Sequence, residues 1–223
     1  MVTQAVTRGA APRLRADATR NRERIVAAAQ EAFIEFGPDV PLDEIARRAG
    51  IGNATLYRHF PDRRELIRSV VLSVLATMAD EAEAIMNDAP DAFQALEAIV
   101  HGAVEWKIGA LCPMLSDWMD LAQPDLQAAR DRLDIVVTGV VNHAQAEGTM
   151  RTDVGPGDIM IIASQIARPL PGAAPADHGY FVHRHLQLVL DGLRTPQRSI
   201  LAGRPATLDD LRDSCVATRM QHH

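Results

Sequence analysis

Five side chains within seven residues, Asn53, Thr55, Tyr57, Arg58 and His59, bring amide, hydroxyl, guanidinium and imidazole groups to the outer edge of one short helical stretch. Such groups donate hydrogen bonds to phosphate oxygens and to base edges, and the major groove of duplex DNA admits one α-helix. The same groups on an ordinary helical hairpin would only be a solvated polar face. The elements that hold them decide between the two readings.

Other constellations are weaker. Glu97, His101 and Glu105 fall four apart on one helix face and could hold a metal, but such a trio is more often a solvated face with the imidazole paired to a carboxylate. His183 and His185 stand two apart, point in different directions on a helix and do not chelate together. Ser116 and Asp117 with a distant His143 or His101 could be assembled into a hydrolytic triad. No glycine-rich elbow or phosphate loop accompanies them, so no catalytic residue, metal or cofactor is assigned and the chain is not expected to be an enzyme.

The polar edge is preceded by Leu42, Ile45, Ala46 and Ala49, whose three- and four-residue steps line one face of a short helix. Gly50 ends that helix and tolerates positive φ, Ile51 plugs the turn, and Leu56, Tyr57 and Phe60 restart a helical stripe. Small Ala46 lets two backbones approach, which makes the pair a helix-turn-helix. Asp43/Arg47 and Glu44/Arg48 stand four apart with the acid first, so Arg47 and Arg48 are partly neutralised and only secondary DNA contacts.

The pieces AFIEFGPDVPLDEIARRAG, IGNATLYRHF and PDRREL resemble the amino-terminal domain of the tetracycline-repressor (TetR) family of bacterial regulators, most strongly from about Asn21 to Leu66. Two positions depart from the family pattern. Gly52 stands where the family usually has a Ser or Thr cap, and Arg63 where it usually has Lys. The first loses a capping side chain at a cost of a few tenths of a kcal/mol; the second keeps the charge. The residues expected at DNA are Asn53, Thr55, Leu56, Tyr57, Arg58, His59 and Arg63, with Arg47 and Arg48 behind them.

Composition agrees once it is divided along the chain. The 223 residues are 47% hydrophobic, enough for a real core, and carry a net charge of −6. Residues 1–64 hold 11 Arg against 8 acids, whereas the remaining 159 hold 12 basic residues against 21 acids. A basic end and an acidic body fit a nucleic-acid-binding end, and with Lys107 the sole lysine, phosphate contacts fall to arginine. No apolar run reaches membrane-spanning length and the first twenty residues lack an export-type apolar region, so a cytoplasmic protein is expected. Cys112 and Cys215 are expected as free thiols.

The organisation expected is all-α: a flexible arm over 1–18, a three-helix DNA-binding domain with the helix-turn-helix over 19–66, and a larger helical ligand-binding and dimerisation domain over 67–223. Arg8, Arg13 and Arg15 of the arm could touch phosphates or a minor groove. Thr19–Phe36 forms the support helix, stopped at Gly37-Pro38. Asp62 with Glu65 opens a long helix through Met78 in a capping-box arrangement, and its start, with Arg63, suits a phosphate. Further helices are expected over Asp91–Lys107, Cys112–Leu121, Pro124–Glu147, Pro156–Ile166, Tyr180–Leu190 and Thr207–Ala217.

The resemblance implies a homodimer that reads a palindromic operator through two recognition helices about 34–36 Å apart. It implies release by a small effector that tilts the long helix. Met78, Met86, Trp106, Met114 and Trp118 fall on the segments that would surround the effector; ordinary core packing explains each singly, but adaptable thioethers beside aromatic rings also suit an apolar or aromatic ligand. Ile159, Ile162, Ile166, Leu186, Val189 and Leu190 lie on the two helices that would pack against their copies, with burial in their own chain as the alternative. The expected function is a ligand-responsive transcriptional repressor with operator DNA and the effector as partners.

Overall fold

A computed structural model describes the backbone of residues 10–105, 118, 123–167, 175–196 and 199–210, and the side chains of residues 17–105, 118, 123–167, 181–196 and 199–210. The regular elements among them are helices: α1 Ala10–Phe36, α2 Leu42–Ala49, α3 Asn53–His59, α4 Arg63–Asp88, α5 Ala92–Glu105, α6 Pro124–Ala146, α7 Pro156–Ile166 and α8 Pro175–Leu193. One isolated β-bridge joins Met150 to Arg194. None of the described helices is long and apolar enough to cross a membrane.

Two of these helices begin earlier than the sequence pattern suggests. α1 starts at Ala10, so the expected arm is corrected to a helix from that residue on. Ala10, Ala11, Leu14, Arg15, Ala16 and Ala18 are strong helix formers, and Pro12 falls in the first turn, where a missing N–H costs nothing. α8 starts at Pro175 rather than Tyr180. Arg8 and the side chains of Arg13 and Arg15 lie outside the described residues, as do most of Cys112–Leu121 and the end of Thr207–Ala217.

The chain divides into two compact units inside α4, between Ser73 and Val74, with Trp118 grouped with the first. In the first unit, Ile25, Ala29, Ala32 and Phe33 of α1 are buried, as are Ile45, Ala46 and Ala49 of α2, Leu56 of α3, Phe60, and Leu66, Ile67 and Val70 of α4. Each set recurs at three- and four-residue steps, which is why these short helices have one apolar face. In the second unit, Phe93, Leu96 and Val100 of α5 form one core with Val136, Val140 and Val141 of α6, Ile159 and Ala163 of α7, and Val182, Leu186 and Leu190 of α8. Arg151 is buried there, paired with Asp153 at 2.6 Å and donating to the Ser199 carbonyl at 2.8 Å, which secures the segment after α8.

This core takes three of the six expected dimer residues. Ile159, Leu186 and Leu190 are spent inside their own chain, and Ile162, Ile166 and Val189 are half-buried. The helical period leaves a different set outside: Ile161 on α7 and Phe181 and Leu188 on α8, with Leu188 62% exposed. Of the residues expected around an effector, Met78 is buried and Met86 is packed partly against the second core. Trp118 falls in the first unit, and Trp106 and Met114 lie outside the described residues.

Candidate nucleic-acid interface

The turn between α2 and α3 is built by backbone chemistry. Gly50 adopts φ +64°, the left-handed region, and this directs its own N–H to the Arg47 carbonyl at 3.1 Å and the Ile51 N–H to the Ala46 carbonyl at 3.0 Å. That pair of bonds is a Schellman closure, which satisfies carbonyls orphaned at the end of α2. The Arg24 guanidinium, reaching from α1, donates to the Ala49 carbonyl and so caps the negative end of the helix. α3 then starts from Gly52, whose carbonyl accepts the Thr55 and Leu56 N–H groups at 2.9 and 3.2 Å without any side-chain cap.

α3 is anchored from below and open above. Leu56 is 1% exposed, and Phe60, whose N–H closes the helix on the Leu56 carbonyl at 2.8 Å, is fully buried. Leu56 is therefore corrected from a DNA contact to the anchor of the helix, because the 100° step per residue turns it away from the outer edge. Asn53, Tyr57 and Arg58 face outward, Tyr57 being 51% exposed, while Thr55 and His59 flank them half-buried. Of the five polar residues expected on the edge, three are thus exposed and two half-buried. Asn53 also donates its amide to Asp43 Oδ1 of α2 at 2.7 Å, which fixes its orientation.

The expected arginines are mostly occupied. Glu44 binds Arg47 through two hydrogen bonds of 2.9 and 2.7 Å and also accepts from Arg48 Nε at 2.9 Å. Those two guanidinium groups, Arg47 first, hold the Glu44 carboxyl down to about 2. The anticipated Asp43/Arg47 pair is thus replaced by Glu44/Arg47, three apart, because Asp43 is engaged by Asn53. Arg48 reaches Glu35 as well and is largely shielded, whereas Arg47 is exposed and its surface pair is cheap to exchange for a phosphate.

Arg63 points inward. Its guanidinium donates to the Pro38 carbonyl and, at 2.7 Å, to the Val40 carbonyl, bracing the turn between α1 and α2. The expectation of a phosphate contact there is corrected: two backbone acceptors already face the fork. Asp62 Oδ1 caps α4 by accepting the Glu65 N–H at 2.9 Å. Glu65 turns to Arg22 and Arg68 at 3.2 and 3.3 Å, and no return bond to Asp62 completes the box among the described residues. Arg58 and Arg64 are exposed and make no ion pair among the described residues, so like Arg47 they are cations available to a polyanion.

Sequence reasoning missed two residues. Arg22 donates to the His59 carbonyl at 3.1 Å and to Ser69 Oγ at 2.7 Å, and Arg24 holds the end of α2. Their three partners lie 25 to 47 residues away, beyond any local pattern.

The other constellations resolve into structural pairs. His101 Nδ1 meets His183 Nδ1 of α8 at 2.8 Å, His183 Nε2 meets Glu105 at 3.0 Å, and Glu97 accepts from Arg194 at 2.9 Å. Glu97, His101 and Glu105 thus link α5 to α8 and its end, and no group of three metal-ligating side chains is found among the described residues. Ser116 and Asp117 lie outside the described residues.

Known proteins match this arrangement in both units. Residues 25–70 match the family model for bacterial regulatory proteins of the tetR family, and residues 91–195 match that for the C-terminal domain of SbtR-like transcriptional regulators. A helix-turn-helix-type transcriptional regulator of Staphylococcus aureus is 32% identical over 96 residues, 43% of this chain and 52% of that one. The match therefore spans about half the length of such curated relatives. Coverage is far greater for two crystal structures. A TetR transcriptional regulator of Streptomyces coelicolor is 30% identical, with 78% of this chain and 98% of that chain covered at a TM-score of 0.61. A TetR transcription regulatory protein of Mycobacterium vanbaalenii is 29% identical, with 82% and 99% covered at a TM-score of 0.62.

Proposed function

The chain belongs to the TetR family of DNA-binding transcriptional regulators, and from that premise we propose that it is a repressor that binds a palindromic operator as a homodimer and is released by a small apolar or aromatic effector. The observation that carries this reading is the outer edge of α3. Asn53, Tyr57 and Arg58 stand outward between Thr55 and His59, on a helix whose opposite side is anchored by Leu56. Arg58 is the residue suited to a bidentate contact with a guanine, and Thr55 and Asn53 to polar base edges. Arg47 and Arg64 supply sequence-independent attraction to phosphates.

Dimerisation would cover Ile161, Phe181 and Leu188, large apolar side chains left exposed on α7 and α8. A two-fold pair presents two copies of α3 to successive major grooves about 34–36 Å apart. The effector would act in the second unit near Met86, whose flexible thioether adapts to an apolar guest. α4 runs from Arg63 to Asp88, and release on this reading requires that effector binding displace its first turns. Release requires the effector to bind the DNA-free state more tightly than the DNA-bound one.

The test is selection of bound duplexes from random DNA, followed by a screen of small molecules for release. An inverted repeat released by an apolar or aromatic compound is expected; recovery of no inverted repeat refutes the operator reading. In sedimentation, Leu188→Glu should shift a dimer toward monomer, and an unchanged dimer would move the interface elsewhere.

A further inference from the structure

Arg22 of α1 touches three parts of the first unit with one guanidinium. Nη1 donates to the carbonyl of His59, the last residue of α3, at 3.1 Å. Nη2 donates to Ser69 Oγ at 2.7 Å and to Glu65 Oε1 at 3.2 Å, both on α4. The Arg22 Cζ atom stands 4.3 Å from the centroid of the Phe60 ring, the buried residue between the two helices. A planar fork with several donors and a stacking face can satisfy all of these together, whereas a lysine ammonium is a single point of charge. The acceptor at His59 is also the negative end of a helix, which favours a cation there.

Resting on the DNA-binding reading above, we propose that Arg22 is a positioning residue for the recognition helix: it ties the carboxyl end of α3 to the first turns of α4 and so sets the pitch at which Tyr57 and Arg58 meet the base edges. α3 has only seven residues, and its own hydrogen bonds do not determine its orientation. Leu56 fixes the helix at its middle, and Arg22 supplies a second fixed point at its end. Two points define an axis. Base contacts depend on that axis because their hydrogen bonds weaken steeply with misalignment, whereas phosphate attraction tolerates it.

The experiment compares wild type, Arg22→Lys, Arg22→Gln and Ser69→Ala. Each is titrated by fluorescence anisotropy against the wild-type-selected operator and against random duplex over a salt series, with the urea midpoint measured in parallel. Arg22→Lys and Arg22→Gln should each lose roughly tenfold on the operator, the scale of one charge-assisted hydrogen bond. Binding to random duplex should stay within about twofold and its salt slope should not move, since no phosphate contact is removed. Ser69→Ala, which removes no charge, should show a smaller loss confined to the operator.

Recovery of operator affinity by Arg22→Lys, or a salt slope reduced by about one charge in Arg22→Gln, would make Arg22 a phosphate contact and overturn the proposal. Equal losses on both duplexes with a lowered urea midpoint would overturn it in favour of a purely structural role. A wild-type protein that selects no sequence would bring down the DNA-binding reading and this proposal with it, an outcome separate from the first two.

Discussion

Gly50→Ala tests whether the turn between α2 and α3 is held as described. Alanine must adopt φ +64° there, and a left-handed conformation costs an L-residue roughly 1–2 kcal/mol. Its Cβ would also stand 2.9 Å from Arg24 Nη2, closer than real contacts allow. Because that atom ends a flexible side chain, the guanidinium shifts and weakens its bond to the Ala49 carbonyl instead of forcing the backbone apart. A hydrogen bond to a charged group contributes roughly 1.5–3 kcal/mol. Partial loss of it, about 1 kcal/mol, brings the expected destabilisation to about 2–3 kcal/mol. Urea denaturation followed by far-ultraviolet circular dichroism measures it. A double-mutant cycle separates the two contributions: with Arg24→Ala already present, Gly50→Ala should cost only the conformational part, roughly 1–2 kcal/mol. A loss below about 0.5 kcal/mol in the wild-type background, or strict additivity with Arg24→Ala, would refute this account of the turn.

Three further outcomes are expected. Gly52→Ser should stabilise the protein by a few tenths of a kcal/mol, about 0.3–0.5, in urea denaturation, because the N-cap of α3 has extended backbone, nothing stands within 4 Å of the added Cβ, and serine supplies the missing cap; a lower midpoint would contradict it. Glu44 is depressed from an ordinary value near 4.5 to about 2 by its hydrogen bonds to Arg47 and Arg48, so folding binds fewer protons than unfolding across that interval. Its stabilisation is present above pH 4.5 and lost as pH falls toward 2, so Glu44→Gln should flatten the acid limb of stability, and an unchanged limb would refute the pairing. Arg63→Met should lower stability by about 1–3 kcal/mol through loss of its carbonyl partners and leave the salt slope on random DNA unaltered, whereas a slope reduced by about one charge would place Arg63 at the duplex.

Much of the fold and half of the candidate site are local patterns. Ile45, Ala46 and Ala49 repeat at helical steps, Gly50 marks the left-handed closure, and Asp62 caps the N–H three residues on, so α2, α3 and the start of α4 could be read from neighbours alone. The outward group Asn53, Tyr57 and Arg58 follows from the same 100° step, though Leu56, beside them in sequence, required the core to be seen before its side could be assigned. The two apolar helices of the second unit illustrate the same limit. Their stripes were legible, but which stripe faces the chain's own core and which, through Ile161, Phe181 and Leu188, faces outward was not.

By itself, then, the order of residues determined the helices, the turn between α2 and α3 and the polar edge of α3, because these depend on contacts among residues three to five apart. Only the tertiary structure decided where the arginines of the first unit go. Arg22, Arg24 and Arg63 look like phosphate ligands in a basic segment, yet each donates to backbone carbonyls 23 to 37 residues away, at His59, Ala49, Pro38 and Val40. A guanidinium on a long flexible stem takes whichever strong acceptor packing brings within reach, and the orphan carbonyls of helix ends and turns arrive there only when the chain has folded.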